Sequence, residues 1–164
     1  FEVRIYDSHG GEHMPEYVSM NCCAANIPGI NMNAGHDQRY GIGLPMHIAT
    51  NKEFTELTLS FYESQTGNER KYFVDWMDSI YNRKSKRMAF PKHYKRYIDI
   101  IQYSRDMKQT YSCTIKKAFP ISIGALERGY ELGEAVPQFS VAFTFYDMEE
   151  HFIENSGTTP TGSH

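Results

Sequence analysis

The sequence predicts a mainly β protein with one packed helix, and both composition and patterning lead to this fold class. Ile, Val, Phe, Tyr and Trp together number 41, whereas Leu and Ala together number 14. Branched and aromatic side chains favour strands, whereas Leu and Ala favour helices. In addition, apolar and polar residues alternate with a period of two in several segments, which is typical of strands with one buried face.

The alternating segments can be followed along the chain. Val3 and Ile5 alternate with polar neighbours in Phe1–Tyr6, and the polar, glycine-containing segment Asp7–Gly11 indicates a turn. We expect Glu16–Cys23 to return as the second arm of a hairpin. Further strands are predicted over Leu57–Tyr62, Tyr97–Tyr103, Gln109–Phe119 and Gln138–Tyr146.

One amphipathic helix is predicted over Asn68–Asn82. Its apolar side chains recur at positions i, i+3, i+4 and i+7, namely Phe73, Trp76, Met77 and Ile80. Asn68 is expected to cap the first turn, where a carboxylate such as Glu69 also interacts favourably with the helix dipole. The apolar stripe should lie on the sheet and close one end of its core.

A long segment rich in Gly, Pro and Asn, Asn26–Thr50, is expected to be a loop between two strands. Loops of this length without structure of their own are usually functional or become ordered against a partner. We therefore expect this segment to have a functional role or to become ordered against a partner.

Length and charge limit the function classes. A chain of 164 residues and 19.0 kDa fits a single domain, and a net charge of −3 is too balanced to mark the whole chain as a nucleic-acid binder. No apolar run reaches the roughly 18 residues that cross a bilayer, so no membrane anchor is expected.

The segment His9–His13 matches the H-x-x-E-H spelling of a zinc-protease motif. That motif needs a helix to bring both imidazoles to one face, and a helix here would carry a penalty of about 1 kcal/mol for each of its two glycines. We expect a polar turn instead, with no catalytic residue, no metal and no cofactor. Cys22, Cys23 and Cys113 are expected to be reduced thiols, because an odd number with two adjacent makes a disulfide framework improbable.

Charge is distributed unevenly. From Ser79 to Ile98 there are seven basic residues and no acid, whereas Gly129–His164 carries six acids and no Lys or Arg. Two solvated surfaces are one interpretation. The other is self-association, in which the basic face of one copy meets the acidic face of the next to build rings or filaments. A zinc hydrolase and a stand-alone basic nucleic-acid-binding module remain the alternatives from other classes.

Several blocks in order resemble the tail tube proteins of contractile-tailed bacteriophages. The stretch Lys71–Trp76 is similar to the family's Lys-x-Phe-Val-Asp-Trp segment, and Gln102–Asp106 resembles its Gln-Tyr-aliphatic-Arg-Asp turn. The remaining blocks are the opening strand Phe1–Tyr6, the small-residue run Cys23–Gly29, the aromatic-proline turn Ala118–Gly124 and the closing strand Pro137–Tyr146. The resemblance covers Phe1 to about Met148.

The resemblance implies a β-sandwich or barrel flanked by one α-helix, assembling into homo-hexameric rings. These rings stack into the inner tail tube of the virion, through which DNA passes without sequence-specific binding. The same fold occurs in type VI secretion tube proteins and in baseplate tube-initiator proteins, so a baseplate initiator or junction protein is the alternative function. The expected partners are further copies of the chain, the tail sheath and the baseplate, and assembly is expected in the host cytoplasm.

The resemblance also assigns candidate residues. The long loop would contact the neighbouring ring or subunit through Ile42, Leu44, Pro45, Met46 and His47. The basic residues Arg83, Lys84, Lys86 and Arg87 would contact an outer partner, because a channel lined with cations would hold DNA phosphates too strongly. Residues 1–148 are expected to form the tube-like domain, and residues 149–164 an acidic, polar tail.

Overall fold

The computed structural model describes residues 1–7, 14–37, 43, 46–125 and 136–153. Within these ranges the protein has eleven strands and three helices. The strands are β1 (Glu2–Asp7), β2 (Cys22–Asn26), β3 (Ile30–Asp37), β4 (Met46–Phe54), β5 (Leu57–Tyr62), β6 (Tyr81–Asn82), β7 (Arg87–Met88), β8 (Arg96–Tyr103), β9 (Gln109–Ile123), β10 (Gln138–Thr144) and β11 (Asp147–Phe152). The helices are α1 (Glu16–Met20), α2 (Asn68–Ile80) and α3 (Pro91–Tyr94).

The long strand β9 links two antiparallel sheets. Its first part pairs with β8 on one side and β11 on the other, and β8 pairs in turn with β1, which gives a first sheet in the order β1-β8-β9-β11. Its last part pairs with β10, and β10, β5 and β2 complete the second sheet. Lys117 lies where β9 passes from one sheet to the other, and its positive φ of 56° marks the local irregularity.

The core lies between the inner faces of the two sheets. Val3, Ile5 and Ile115 are among the fully buried residues of the first sheet. From the second sheet the alternating positions Leu57, Leu59, Phe61, Phe139, Val141 and Phe143 point inward and are buried. The strand predictions for these segments are therefore confirmed, although β10 ends at Thr144 rather than at Tyr146.

Helix α2 covers the aromatic part of this core. The Phe73 ring lies 4.9 Å from the Phe61 ring, and the Trp76 indole donates its Nε1–H to the backbone oxygen of Tyr94 at 2.9 Å. The predicted helix is confirmed, but it ends at Ile80 because the next two residues form β6. The cap prediction is wrong: Gly67, with φ 66°, precedes the helix, and Asn68 is already its first residue.

The second arm predicted over Glu16–Cys23 is wrong in its first half. Residues Glu16–Met20 form the short helix α1, and only from Cys22 does the chain become a strand. The Ser19 hydroxyl donates to the Val3 carbonyl at 2.6 Å, and Val18 is fully buried. A single turn with one buried residue is too short to show a helical period, so its apolar residues were read as alternation.

The segment Asn26–Thr50 is not a loop without structure, as the sequence predicted. Strands β3 and β4 form an antiparallel hairpin from Ile30↔Phe54 to Asp37↔Met46. The acidic tail also begins later than expected, because β11 pairs with β9 as far as Phe152 and so includes residues 149–152 in the first sheet. The end of the predicted tail, 154–164, lies outside the described residues.

Candidate assembly surfaces

The hairpin of β3 and β4, Ile30–Phe54, projects from the sandwich. Its base is fixed at Gly29 and Thr55: the Thr55 amide donates to the Gly29 carbonyl at 3.1 Å, and the Gly29 amide donates to the Thr55 hydroxyl at 2.7 Å. Every residue of β4 except Phe54 is exposed. We call this element the projecting hairpin.

Apolar side chains lie on both faces of the projecting hairpin. The register places Ile30 and Met32 on one face, with 47% and 60% of their surface exposed. Met46 and Ile48 lie on the other face, opposite Asp37 and Gly35 across the ladder. A two-stranded hairpin is at best marginally stable in water. The isolated chain therefore exposes apolar surface on both faces of this hairpin.

The predicted interface residues fall in and beside this hairpin. Met46 and His47 are the first two residues of β4, and both are exposed. Ile42, Leu44 and Pro45 lie outside the described residues. Ile30, Met32 and Ile48 were missed by the sequence reasoning, although their alternation with Asn and Ala could have indicated a strand pair.

Both sheets end in edge strands within the described part of the chain. In the first sheet β11 pairs only with β9, and β1 pairs only with β8, but the outer edge of β1 is partly occupied because the Val3 carbonyl accepts from the Ser19 hydroxyl and the Ile5 carbonyl accepts from the Met14 amide. In the second sheet β2 pairs only with β5. An edge strand presents unpaired backbone donors and acceptors, which another chain can use to extend the sheet.

The basic residues Arg83, Lys84 and Lys86 lie in the tight turn between β6 and β7, and Arg87 follows as the first residue of β7. We call the five-residue segment 83–87 the cationic turn. The Asn82 side-chain oxygen accepts hydrogen bonds from the backbone amides of Lys84 and Ser85, at 2.9 Å and 3.1 Å. Arg83 lies 3.3 Å from Asp78, but this ion pair is solvent-exposed and contributes little to stability. The turn therefore presents its positive charge to solvent.

Two of the acidic residues that the sequence assigned to an intermolecular face interact within the chain instead. Lys116 forms an ion pair with Glu149, and the Tyr111 hydroxyl donates to Glu150 at 2.6 Å. Burial and the hydrogen bond to Glu150 raise the pKa of Tyr111. These contacts tie β11 to β9, so β11 is part of the folded domain.

A buried carboxylate near the start of α2 has a structural role. Glu69 is only 2% exposed and accepts hydrogen bonds from the Asn21 amide at 2.7 Å and from the Ser64 backbone amide and hydroxyl at 3.1 Å and 2.8 Å. Burial by itself would raise the pKa of Glu69, but these hydrogen bonds outweigh it and hold the pKa below its ordinary value. The carboxylate is engaged on both oxygens and links α2 to the ends of β2 and β5.

The described residues contain no group of three His, Cys, Asp or Glu side chains that could hold a metal ion. The motif His9–His13 lies outside these residues. All three cysteines are free thiols. Burial raises the pKa of Cys22 to about 12 and that of Cys113 to about 11, so both stay protonated at neutral pH. No helix in the described ranges has the length and apolar character needed to span a membrane.

The chain is thus a β-sandwich that presents edge strands, a projecting hairpin and a cationic turn to solvent. Comparison with known proteins places it more narrowly. The phage tail tube protein family matches residues 1–151, and the chain belongs to this family. The predicted family is thereby confirmed, as is the prediction that the protein is structural rather than an enzyme.

Solved structures show the same fold at low sequence identity. A chain in the six-fold symmetrised cryo-EM structure of the anti-feeding prophage (AFP) baseplate matches with a TM-score of 0.70 at 10% identity, covering 93% of both chains. A chain in the sheath-tube complex of the PVC extracellular contractile injection system, in its extended state, matches with a TM-score of 0.66 at 14% identity, covering 93% of this chain and 90% of the other. Hcp1 from Salmonella typhimurium matches with a TM-score of 0.51 at 10% identity, covering 96% and 90%. No curated protein matches by sequence.

Proposed function

We propose that the chain is the subunit of the inner tube of a contractile tail, forming homo-hexameric rings that stack so that the genome passes through their channel. The projecting hairpin is the observation that carries this proposal. About half of the surface of its apolar side chains on both faces is exposed in the described chain, and a neighbouring copy would cover it. Membership of the tail tube family and the six-fold symmetry of the similar AFP baseplate structure support a ring of six.

Ring closure uses the open strand edges. The second sheet is antiparallel with four strands, so its two outer strands, β2 and the end of β9, run in opposite directions. Copies related by rotation about a ring axis can therefore pair the edge of one sheet with the opposite edge of the next in antiparallel register. Such pairing joins the sheets into one continuous inner barrel, without spare edges inside the ring.

The second sheet has the chemistry of a channel wall for DNA. Alternation turns Thr58, Ser60, Ser140, Ala142 and Ser122 away from the core, in rows fixed by the pairing of β5, β10 and the end of β9. The strand residues on this face carry no charge. Cations here would hold phosphates, whereas hydroxyl and methyl groups let a polyanion slide without strong capture. Helix α2 packs on the opposite, inner face through Phe73, so we place α2 toward the outside of the tube.

The cationic turn follows α2 and thus also faces outward. There Arg83, Lys84, Lys86 and Arg87 contact the tail sheath or the baseplate. Chemical labelling of lysines on assembled tubes tests this orientation. Lys84 and Lys86 should react in bare tubes and become protected when sheath is added. Protection by DNA inside the channel alone would contradict the outward orientation.

Stacking uses the segment that connects β3 to β4 and the first residues of β4, namely Ile42, Leu44, Pro45, Met46 and His47. Deletion of Gly41–Pro45 tests this role. The deleted protein should keep the thermal unfolding transition of the sandwich and still form rings, but electron microscopy should show no stacks. Tubes of normal length from the deletion variant would show that this segment is not needed for stacking.

A further inference from the structure

Beside the cationic turn, two large apolar side chains stand exposed. Met88 is 72% exposed and Phe90 is 77% exposed, values among the highest for apolar residues in the described chain. Ala89 between them is partly buried, and its amide donates to the Ile80 carbonyl at 2.8 Å. The backbone is therefore held against the end of α2, and Met88 and Phe90 both point away from the body.

Hydrogen bonds within the chain hold the same element in its turn conformation. The Lys86 amide donates to the Asn82 carbonyl at 2.8 Å, and the Asn82 side chain holds the turn from within. Lys86 itself adopts a positive φ of 53°, which a non-glycine residue rarely occupies. A turn fixed in this way loses little conformational entropy on binding, so its charges and apolar groups are pre-organised.

Positive charge dominates the surroundings of these apolar residues. Arg83, Lys84, Lys86 and Arg87 precede them, and Lys92 follows on α3. No acid occurs from Ser79 to Ile98, and Asp78 faces only Arg83. Exposed cations alone are commonly solvated. Two exposed apolar anchors among five cations are unusual on a free surface, because interfaces rather than free surfaces combine aromatic and Met anchors with charge.

We propose that the cationic turn together with Met88 and Phe90 binds an acidic protein segment that carries an apolar side chain among its carboxylates. The carboxylates pair with the Lys and Arg side chains, and the apolar side chain packs on Met88 and Phe90. This inference rests on the proposed function only in placing the surface on the outside of the tube, where the sheath or the baseplate supplies the segment. A protein partner is favoured over nucleic acid, because Met88 offers nothing to a phosphate or to a base edge.

A peptide-binding cycle tests the chemistry directly. The probes are a fluorescent peptide of Glu and Ser with one central Leu, the same peptide with Ala in place of Leu, and a fluorescent single-stranded oligonucleotide of equal charge. The proteins are the full chain, Phe90→Ser, Met88→Ser, and Met107→Ser as a control of equal exposure outside the turn. All three replaced side chains are largely solvent-exposed, so the variants should fold.

We expect the Leu peptide to bind more tightly than the Ala peptide, and both to weaken as salt rises. Phe90→Ser should weaken the Leu peptide about tenfold and the Ala peptide less than twofold, since buried anchors dominate interface energy. Met107→Ser should change neither. Equal losses for both peptides, or tighter binding of the oligonucleotide that is insensitive to Phe90→Ser, would overturn the inference. If the chain forms tubes but fails this test, only the inference is lost. If it binds the peptide but never assembles, the proposed function is wrong and the binding surface remains.

Discussion

Replacing Met46 and Ile48 together by serine should weaken tube assembly without unfolding the subunit. Both side chains lie on one face of the projecting hairpin and are 58% and 47% exposed in the free chain. Full burial of such a side chain contributes about 1.5–3 kcal/mol, and roughly half of each remains to be buried by a partner, so each supplies about 1 kcal/mol to a stacking contact. The double variant should therefore lose about 2 kcal/mol per contact, which corresponds to roughly a 30-fold weaker association.

The assay is the critical concentration for tube formation, measured by sedimentation over a concentration series. It should rise about 30-fold for Met46→Ser/Ile48→Ser, following the free-energy estimate above. The cooperative unfolding transition of the sandwich should persist, because both side chains lie on the projecting hairpin rather than in the core between the two sheets. Met20→Ser, with a side chain 77% exposed on α1, is the matched control and should leave assembly unchanged. An unchanged critical concentration in the double variant, or an equal rise in the control, would refute the role given to the hairpin.

Three further predictions concern the core, the pH dependence and the channel. Phe73→Ala should lower the unfolding free energy by about 3–5 kcal/mol in urea titrations, because it leaves a cavity in the aromatic core between α2 and the second sheet. A loss under about 1 kcal/mol would contradict this packing. Glu69 has a lowered pKa in the folded state, so its stabilisation is complete above the ordinary pKa of a glutamate and is lost as pH falls through the folded value. The melting temperature of the wild type should therefore fall more steeply below about pH 4.5 than that of Glu69→Gln. At pH 7 the Glu69→Gln variant should be about 1–3 kcal/mol less stable than the wild type. Parallel pH profiles of the two proteins would contradict a stabilising, hydrogen-bonded carboxylate. Finally, a maleimide-linked gold cluster can be attached to Ser140→Cys of the second sheet or to Thr114→Cys of the first sheet, each in a Cys23→Ala background. In assembled tubes the cluster on Ser140→Cys should appear on the tube axis, and the cluster on Thr114→Cys should appear away from the axis. The reverse pattern would assign the channel to the first sheet.

The sequence predicts those parts of the fold in which one face of an element is buried. The alternation of Phe139, Val141 and Phe143 predicts β10 because each of these side chains faces the core. The stripe of α2 is equally visible, since Phe73, Trp76 and Ile80 are buried on one side. Where burial enforces a period, the sequence displays it.

The projecting hairpin has no buried face, so only a short alternation, that of Ile30 and Met32 with Asn, marks its strands in the sequence. Met32 and Ile48 are isolated among Asn, Gly and Thr, residues that normally indicate loops. The hairpin is held by the backbone hydrogen bonds between β3 and β4. The sequence also located the cationic turn from its charge run but not Met88 and Phe90, because exposed apolar residues look the same in sequence as buried ones. The ring of six follows from no pattern of residues and enters only through the family.

The central claim, assembly of this chain into a tube, is tested most directly by electron microscopy of the purified protein over a concentration series, with mass measured by light scattering. We predict six-fold rings at low concentration and hollow, unbranched tubes at high concentration, with a mass that grows in steps of one ring. Rings that lengthen only on a baseplate partner would indicate a tube-initiating subunit instead of the tube subunit. A chain that stays monomeric at every concentration, even when seeded with tail fragments, would contradict the account.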